Sequence, residues 1–186
     1  MFYFSILITF FLLLFLMHIQ PWTKWVIFFG IFLIITSHLY VQTYEIKWNI
    51  AFISLFLVAL FMLRVSGKQM GLQMVVFVIG LAIFYDALSF IFLVYHEFLR
   101  FDLWLLRGLC FFVILGIFEH NLLYAGCIAM IAIFFGEVLN TFMQLKPQET
   151  LSIGSMTVLN ESGFLLLGFI FFAICERIQT VEKNYG

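Results

Sequence analysis

The sequence predicts an all-α integral membrane protein, a single domain over residues 1–186 built as a bundle of about seven transmembrane helices, with about six as the alternative count. Three observations lead there. Hydrophobic residues make up 65% of the 186 and charged ones only 10%, whereas soluble domains carry about 25% charged residues. Mean hydropathy is +1.16, too apolar for water to be the main solvent. The apolar residues also fall into runs near the roughly 17 to 25 that a helix needs to cross hydrocarbon about 30 Å thick.

Punctuation by charges, Pro and Gly places the spans in order. The first covers about 2–18 and closes at "HIQPWTK", where Pro21 stops a helix and Trp22 and Trp25 mark an interface. Its apolar start has no basic leader and no small-residue cleavage site, so a retained helix is expected. The second runs from Trp25 to about Val41 and is followed by the polar turn "QTYEIKW". The third, about 48–64, is the shortest and ends at Arg64 in "RVSGKQMG"; the alternative count leaves it out. The fourth, about 72–95, is interrupted only by Asp86. The fifth, about 103–118, carries Arg107 near its start and stops at "EHN". The sixth covers about 122–143, and the seventh, about 163–177, precedes the tail "ERIQTVEKNYG". Residues 144–162, "QLKPQETLSIGSMTVLNES", are too polar to span and read as an outer loop, an interfacial segment or a short re-entrant piece lying against the bundle.

Lys and Arg placement sets the expected orientation. With the amino terminus outside, Lys24, Arg64, Lys68, Arg177 and Lys183 lie inside, against Lys47, Arg100, Arg107 and Lys146 outside. That puts the carboxyl terminus inside. The Phe- and Ile-rich composition suits an AT-biased genome and hence a bacterial plasma membrane.

Polar residues within the spans are the candidates for function, because each costs about 2.5 to 3.5 kcal/mol at the centre of a bilayer when it is Asp or Arg. Asp86, Arg107 and Glu137 fall roughly 14, 6 and 9 Å from one membrane face at about 1.5 Å rise per residue. They share a leaflet, and Arg107 is expected to bridge toward Glu137 or Asp86. Asn140 and Thr141 follow Glu137 at three and four positions and so share its helix face. Ser89 stands in the same relation to Asp86, with Tyr85 adjacent. Ala125, Ala129, Ala132, Gly136 and Asn140 form a small-residue stripe that lets another helix come close. The stripe points Glu137 toward protein. The site expected from sequence is therefore an intramembrane polar cluster of Asp86, Arg107, Glu137 and Asn140.

Other chemistries find no footing. The net charge of −1 leaves no basic patch for nucleic acid. Cys110, Cys127 and Cys175 sit singly in apolar runs, as small hydrophobes do. His18 and His120 fall at one side and His38 and His96 at the other, without a ligand pair four residues apart, so neither a metal site nor haem is expected. No HExxH, GxSxG or nucleotide-binding glycine loop occurs. The expectation is a protein without cofactor or catalytic residues, in contact with the lipid bilayer and with a membrane-protein partner or a second copy of itself. It would be an accessory or scaffold component, and the alternative is a small transporter or channel using the Asp/Arg/Glu cluster for a proton, ion or small substrate.

The span pattern, with "RFDLWLLRG" opening the fifth span and "FFGEVLN" in the sixth, resembles the YphA-type family of small polytopic membrane proteins from Gram-positive, spore-forming bacteria. The resemblance implies a membrane location and brings no biochemical activity with it.

Overall fold

The structure is a computed structural model that describes residues 23–44, 46–65, 71–95, 103–119, 121–143, 151–166 and 168–169. The expected first span, Trp22, His18, His96, His120, Cys175 and the tail lie outside the described residues. Five helices are bounded in order: α1 (Thr23–Thr36), α2 (Ile50–Val65), α3 (Leu72–Tyr95), α4 (Leu103–Phe118) and α5 (Leu122–Met143). A sixth, α6, occupies 156–166 and is helical again at 168–169. Between them lie three short strands, β1 (Tyr40–Thr43), β2 (Ile46–Asn49) and β3 (Leu151–Ile153).

The helices start where a side chain can satisfy the free backbone N–H groups of a first turn. Asn49 caps α2 by accepting the Phe52 N–H at 3.2 Å, while its amide donates to the Ser37 carbonyl at 2.7 Å. Asn121 caps α5 in the same way through the Tyr124 N–H at 3.2 Å. At the end of α1, the hydroxyls of Thr36 and Ser37 donate back to the carbonyls of Phe32 and Ile34, both at 2.7 Å. That helix stops at Thr36, short of the expected Val41, and the chain turns into β1 through a Leu39 N–H bond to the Thr36 carbonyl at 3.0 Å.

α5 is the centre of the bundle, packed against α2, α3, α4 and β3. Its small-residue stripe is buried as expected: Ala125, Ala129 and Ala132 are almost wholly covered. At Gly136 the approach is closest, since a Cβ there would stand 2.6 Å from Cδ1 of Tyr85 on α3. Phe52 and Phe56 of α2 stack on Phe134, with centroids at 5.5 and 3.9 Å. The outward faces remain apolar, with Leu57 and Phe61 on α2, Val76, Ile79 and Ile83 on α3, and Val113 on α4 all exposed. Apolar residues outside and polar ones inside are what hydrocarbon solvent selects. Among the described residues, Leu72–Ile91 and Tyr124–Met143 are long and apolar enough to cross a membrane, and Ile50–Val65 and Leu105–Phe118 are shorter apolar helices.

The "QTYEIKW" stretch is not a plain turn. β1 and β2 form an antiparallel hairpin with Thr43 opposite Ile46, and Tyr44 takes the left-handed conformation (φ 55°) at its exposed tip. β3 then adds to β2 in parallel, pairing Ile46 to Leu151 and Trp48 to Ile153. Part of the expected loop at 144–162 is thus a strand and the first two turns of α6, which begins well before the expected start of the seventh span at 163. The physical reason is an apolar face, Val158, Leu159, Leu165 and Phe169, that recurs at helical spacing and is fully buried. β3 ends at Gly154, whose φ of +75° and close contact with Phe52 admit no side chain.

Candidate functional site

Near the end of the bundle where α3 and α5 finish and α4 and α6 begin, four helices bring polar side chains together. α3 supplies Tyr85 and Ser89, α4 Arg107, α5 Glu137 and α6 Glu161. Each must be turned inward, because the alternative is an uncompensated polar group in hydrocarbon. Arg107 is 3% exposed, Glu137 6%, and Tyr85 and Glu161 0%.

Arg107 organises the centre. Its Nη2 makes an ion pair with Glu161 Oε2 at 2.9 Å, and its Nη1 donates to Ser89 Oγ at 2.8 Å. The Ser89 hydroxyl in turn donates a hydrogen bond to the Tyr85 carbonyl one turn earlier, at 3.0 Å. The guanidinium carbon sits 4.2 Å over the Tyr85 ring, a cation–π contact made effective by the dry surroundings. Phe111, one turn along α4 from Arg107, meets the same ring edge-on at 6.0 Å. Tyr85 is thus fixed by Arg107 on its face, by Phe111 at its edge, and by the bare backbone of Gly136.

So held, the Tyr85 hydroxyl reaches two carboxylates, Glu137 Oε1 at 2.9 Å and Glu161 Oε2 at 3.4 Å. The backbone N–H of Gly154, just after β3, also acts on Glu137. The arrangement is a network over four helices, with the residue after β3 beside it. It can hold an ion pair and a short hydrogen-bonded chain of carboxylate, phenol and carboxylate.

The sequence-predicted residues divide. Arg107 and Glu137 are in the centre. Contrary to the expectation from sequence, Arg107 does not bridge directly to Glu137 or Asp86; its partner is Glu161, and Glu137 is joined through Tyr85. Asp86 follows Tyr85 on α3 and is rotated about 100° from it, which leaves it partly exposed beside the centre. Asn140 is half-buried one turn beyond Glu137 on α5, and Thr141 is buried beside it. Sequence reasoning missed Glu161 and gave Tyr85 no role. The signal for Glu161 was available in the spacing of Val158, Leu159, Ser162 and Leu165, which puts residue 161 inside an amphipathic helix.

A cleft of ≈ 640 Å³ lies at the opposite end of the bundle, lined by Gln73, Met74, Phe77, Phe118, Tyr124 and Ile128. It is separate from the polar centre: Ile128 and Glu137 are nine residues apart on α5, roughly 14 Å at about 1.5 Å per residue. Among the described residues no three His, Cys, Asp or Glu side chains group in a way that could hold a metal ion.

Comparison with curated proteins and with solved structures finds no match. The family model described as "YphA-like integral membrane protein" matches residues 1–185. With helices that are apolar on the outside and keep their ionisable groups in the middle, the chain belongs to the YphA-like integral membrane proteins.

Proposed function

We propose that the protein is a non-enzymatic accessory or scaffold component of a bacterial plasma membrane, crossing it about seven times with its amino terminus outside and its carboxyl terminus inside. It works by packing against another membrane protein or a second copy of itself. The observation that carries this reading is that Arg107, Glu137 and Glu161 are buried and joined to one another directly or through Tyr85. The side chains of the Arg107–Glu161 pair are 4% and 0% exposed, so they tie helices together instead of meeting a substrate from outside. The exposed faces of α2 and α3 are correspondingly apolar and suited to lipid or to another helix. Purification from the native host in mild detergent, followed by mass spectrometry, is expected to yield a stoichiometric partner or a homo-oligomer. A lone monomer, whichever mild detergent is used, would count against it.

The orientation has its own test. In a background lacking Cys110, Cys127 and Cys175, Tyr44→Cys and Ser152→Cys are expected to react with a membrane-impermeant maleimide applied from outside. Reaction only after the membrane is opened would reverse the proposed orientation.

One observation favours a second reading, a small transporter for a proton, ion or small substrate. The centre has two carboxylates to one guanidinium, and Asp86 stands partly exposed next to it. Flux into proteoliposomes should then disappear in Glu137→Gln and Asp86→Asn. Unchanged flux in both, with the protein intact, removes this reading.

A further inference from the structure

The contacts around Tyr85 do not balance if every acid in the centre is ionised. Its hydroxyl lies within reach of Glu137 Oε1 and Glu161 Oε2. A phenol carries one proton, and an ionised carboxylate only accepts. With both glutamates ionised, the single phenol proton cannot complete both contacts, and two negative charges meet across one hydroxyl in a buried core of low dielectric. If one glutamate is protonated, its carboxylic O–H donates to the phenol oxygen and the phenol donates to the other carboxylate. Both contacts are then hydrogen bonds.

The charges agree with the geometry. Among the described residues, the titratable groups at the centre are Tyr85 and the partly exposed Asp86 from α3, Arg107 from α4, Glu137 from α5 and Glu161 from α6; α2 stacks Phe52 and Phe56 on Phe134 and carries its charge, Arg64, at its far end. Among the described residues Arg107 compensates one carboxylate and no second cation faces the other, at a depth where an unpaired charge is costly.

A separate observation points the same way. Glu161 Oε1 and Arg107 Nε are both buried and unpartnered. Nε shares an edge of the guanidinium with Nη2, the atom that does bind Glu161. A side-on pair of two bonds is therefore available, and only one is made. Glu161 Oε2 is instead shared between Arg107 and Tyr85, which leaves the carboxylate engaged with the phenol as well as with its ion-pair partner.

We propose that Glu137, Tyr85 and Glu161 form a proton-binding site that holds one proton at neutral pH and passes it between the two glutamates through the phenol. In the transfer, the carboxylic O–H bond of one glutamate breaks as its proton bonds to Tyr85 Oη. The proton that Tyr85 carried moves to the facing oxygen of the other glutamate. Tyr85 is neutral before and after, and one negative charge changes place. This goes beyond the scaffold reading and does not depend on it, because a bound proton is detectable whether or not a partner is captured.

The experiment is infrared spectroscopy of the purified full-length protein at neutral pH, with side-chain carboxyl carbons labelled with carbon-13 in glutamate or, separately, in aspartate. The expected result is a protonated-carboxyl C=O band above the amide region that moves to lower frequency with labelled glutamate and stays put with labelled aspartate. The band should vanish in Glu137→Gln, where Glu161 remains ionised against Arg107, and move to higher frequency in Tyr85→Phe, which removes a hydrogen bond. Absence of the band, a band that follows the aspartate label, or one unchanged in Glu137→Gln would overturn the proposal. The labelled wild-type protein alone decides it if the variants fail to fold.

Discussion

The two ends of the bundle are joined by different physics. Where α3 and α5 finish, an ion pair and a bridging phenol lock four helices in fixed register. Where α3 and α5 begin, a cleft is lined by Met74, Phe77, Phe118 and Ile128 with Gln73, Glu119 and Tyr124 among them; Tyr124 Oη donates to Met74 Sδ at 2.8 Å, and Phe77 meets Phe118 at 5.6 Å with its ring tilted 57°. In water the second arrangement would be strongly favoured by burial of apolar surface. In a bilayer it gains little, because lipid tails solvate Phe and Met as well as another helix does. Directional contacts and close backbone approach are what remain to specify the packing, and among the described residues the buried charged ones stand at the polar end, against a Tyr124–Met74 hydrogen bond at the other.

That contrast can be broken or sharpened by substitution, with stability read from reversible unfolding in mixed micelles. The largest loss is expected for Arg107→Met, about 3–5 kcal/mol, since it leaves Glu161 buried without its counter-charge. The double variant Arg107→Met/Glu161→Met should lose less than Arg107→Met alone. Strictly additive effects would mean that the pair does not act as a unit. Gly136→Ala comes next at about 1–3 kcal/mol, because the new methyl meets the Tyr85 ring where neither helix can easily move. Ser89→Ala removes a single hydrogen bond to Arg107 and should cost about 1 kcal/mol. At the open end, Phe118→Ala should cost about 0.5–1 kcal/mol, the scale of one aromatic contact. A loss there equal to that of Arg107→Met would end the distinction between the two ends.

How much of this was legible in the sequence depended on what each signal measures. The bounds of α3, α4 and α5 were readable because charge and glycine interrupt long apolar runs on both sides. Arg107 and Glu137 stood out as charges inside such runs. Glu161 did not, since it falls where a polar segment gives way to an apolar one and hydropathy alone assigns it to the loop. Asp86 drew attention for the same reason that Glu137 did, yet one residue of rotation around α3 separates it from Tyr85, the group that enters the centre. The hairpin was hidden for a local reason. Its two-residue turn uses Tyr44 in a left-handed conformation, where Gly or Asn would have announced it. The pairing of β2 with β3 joins segments about a hundred residues apart, a distance over which periodicity carries no information.

That pairing has a topological consequence. Two strands can share hydrogen bonds only on the same side of a membrane, so the chain between Asn49 and Leu151 must cross an even number of times. Four helices, α2 to α5, lie in that interval. If all four cross, the strands meet. If the short α2 alone failed to cross, three crossings would strand β2 and β3 on opposite faces. A sheet of only three strands thus acts as a parity check on the insertion: α2 and α4, the two shorter apolar helices, either both cross or both stay on one side.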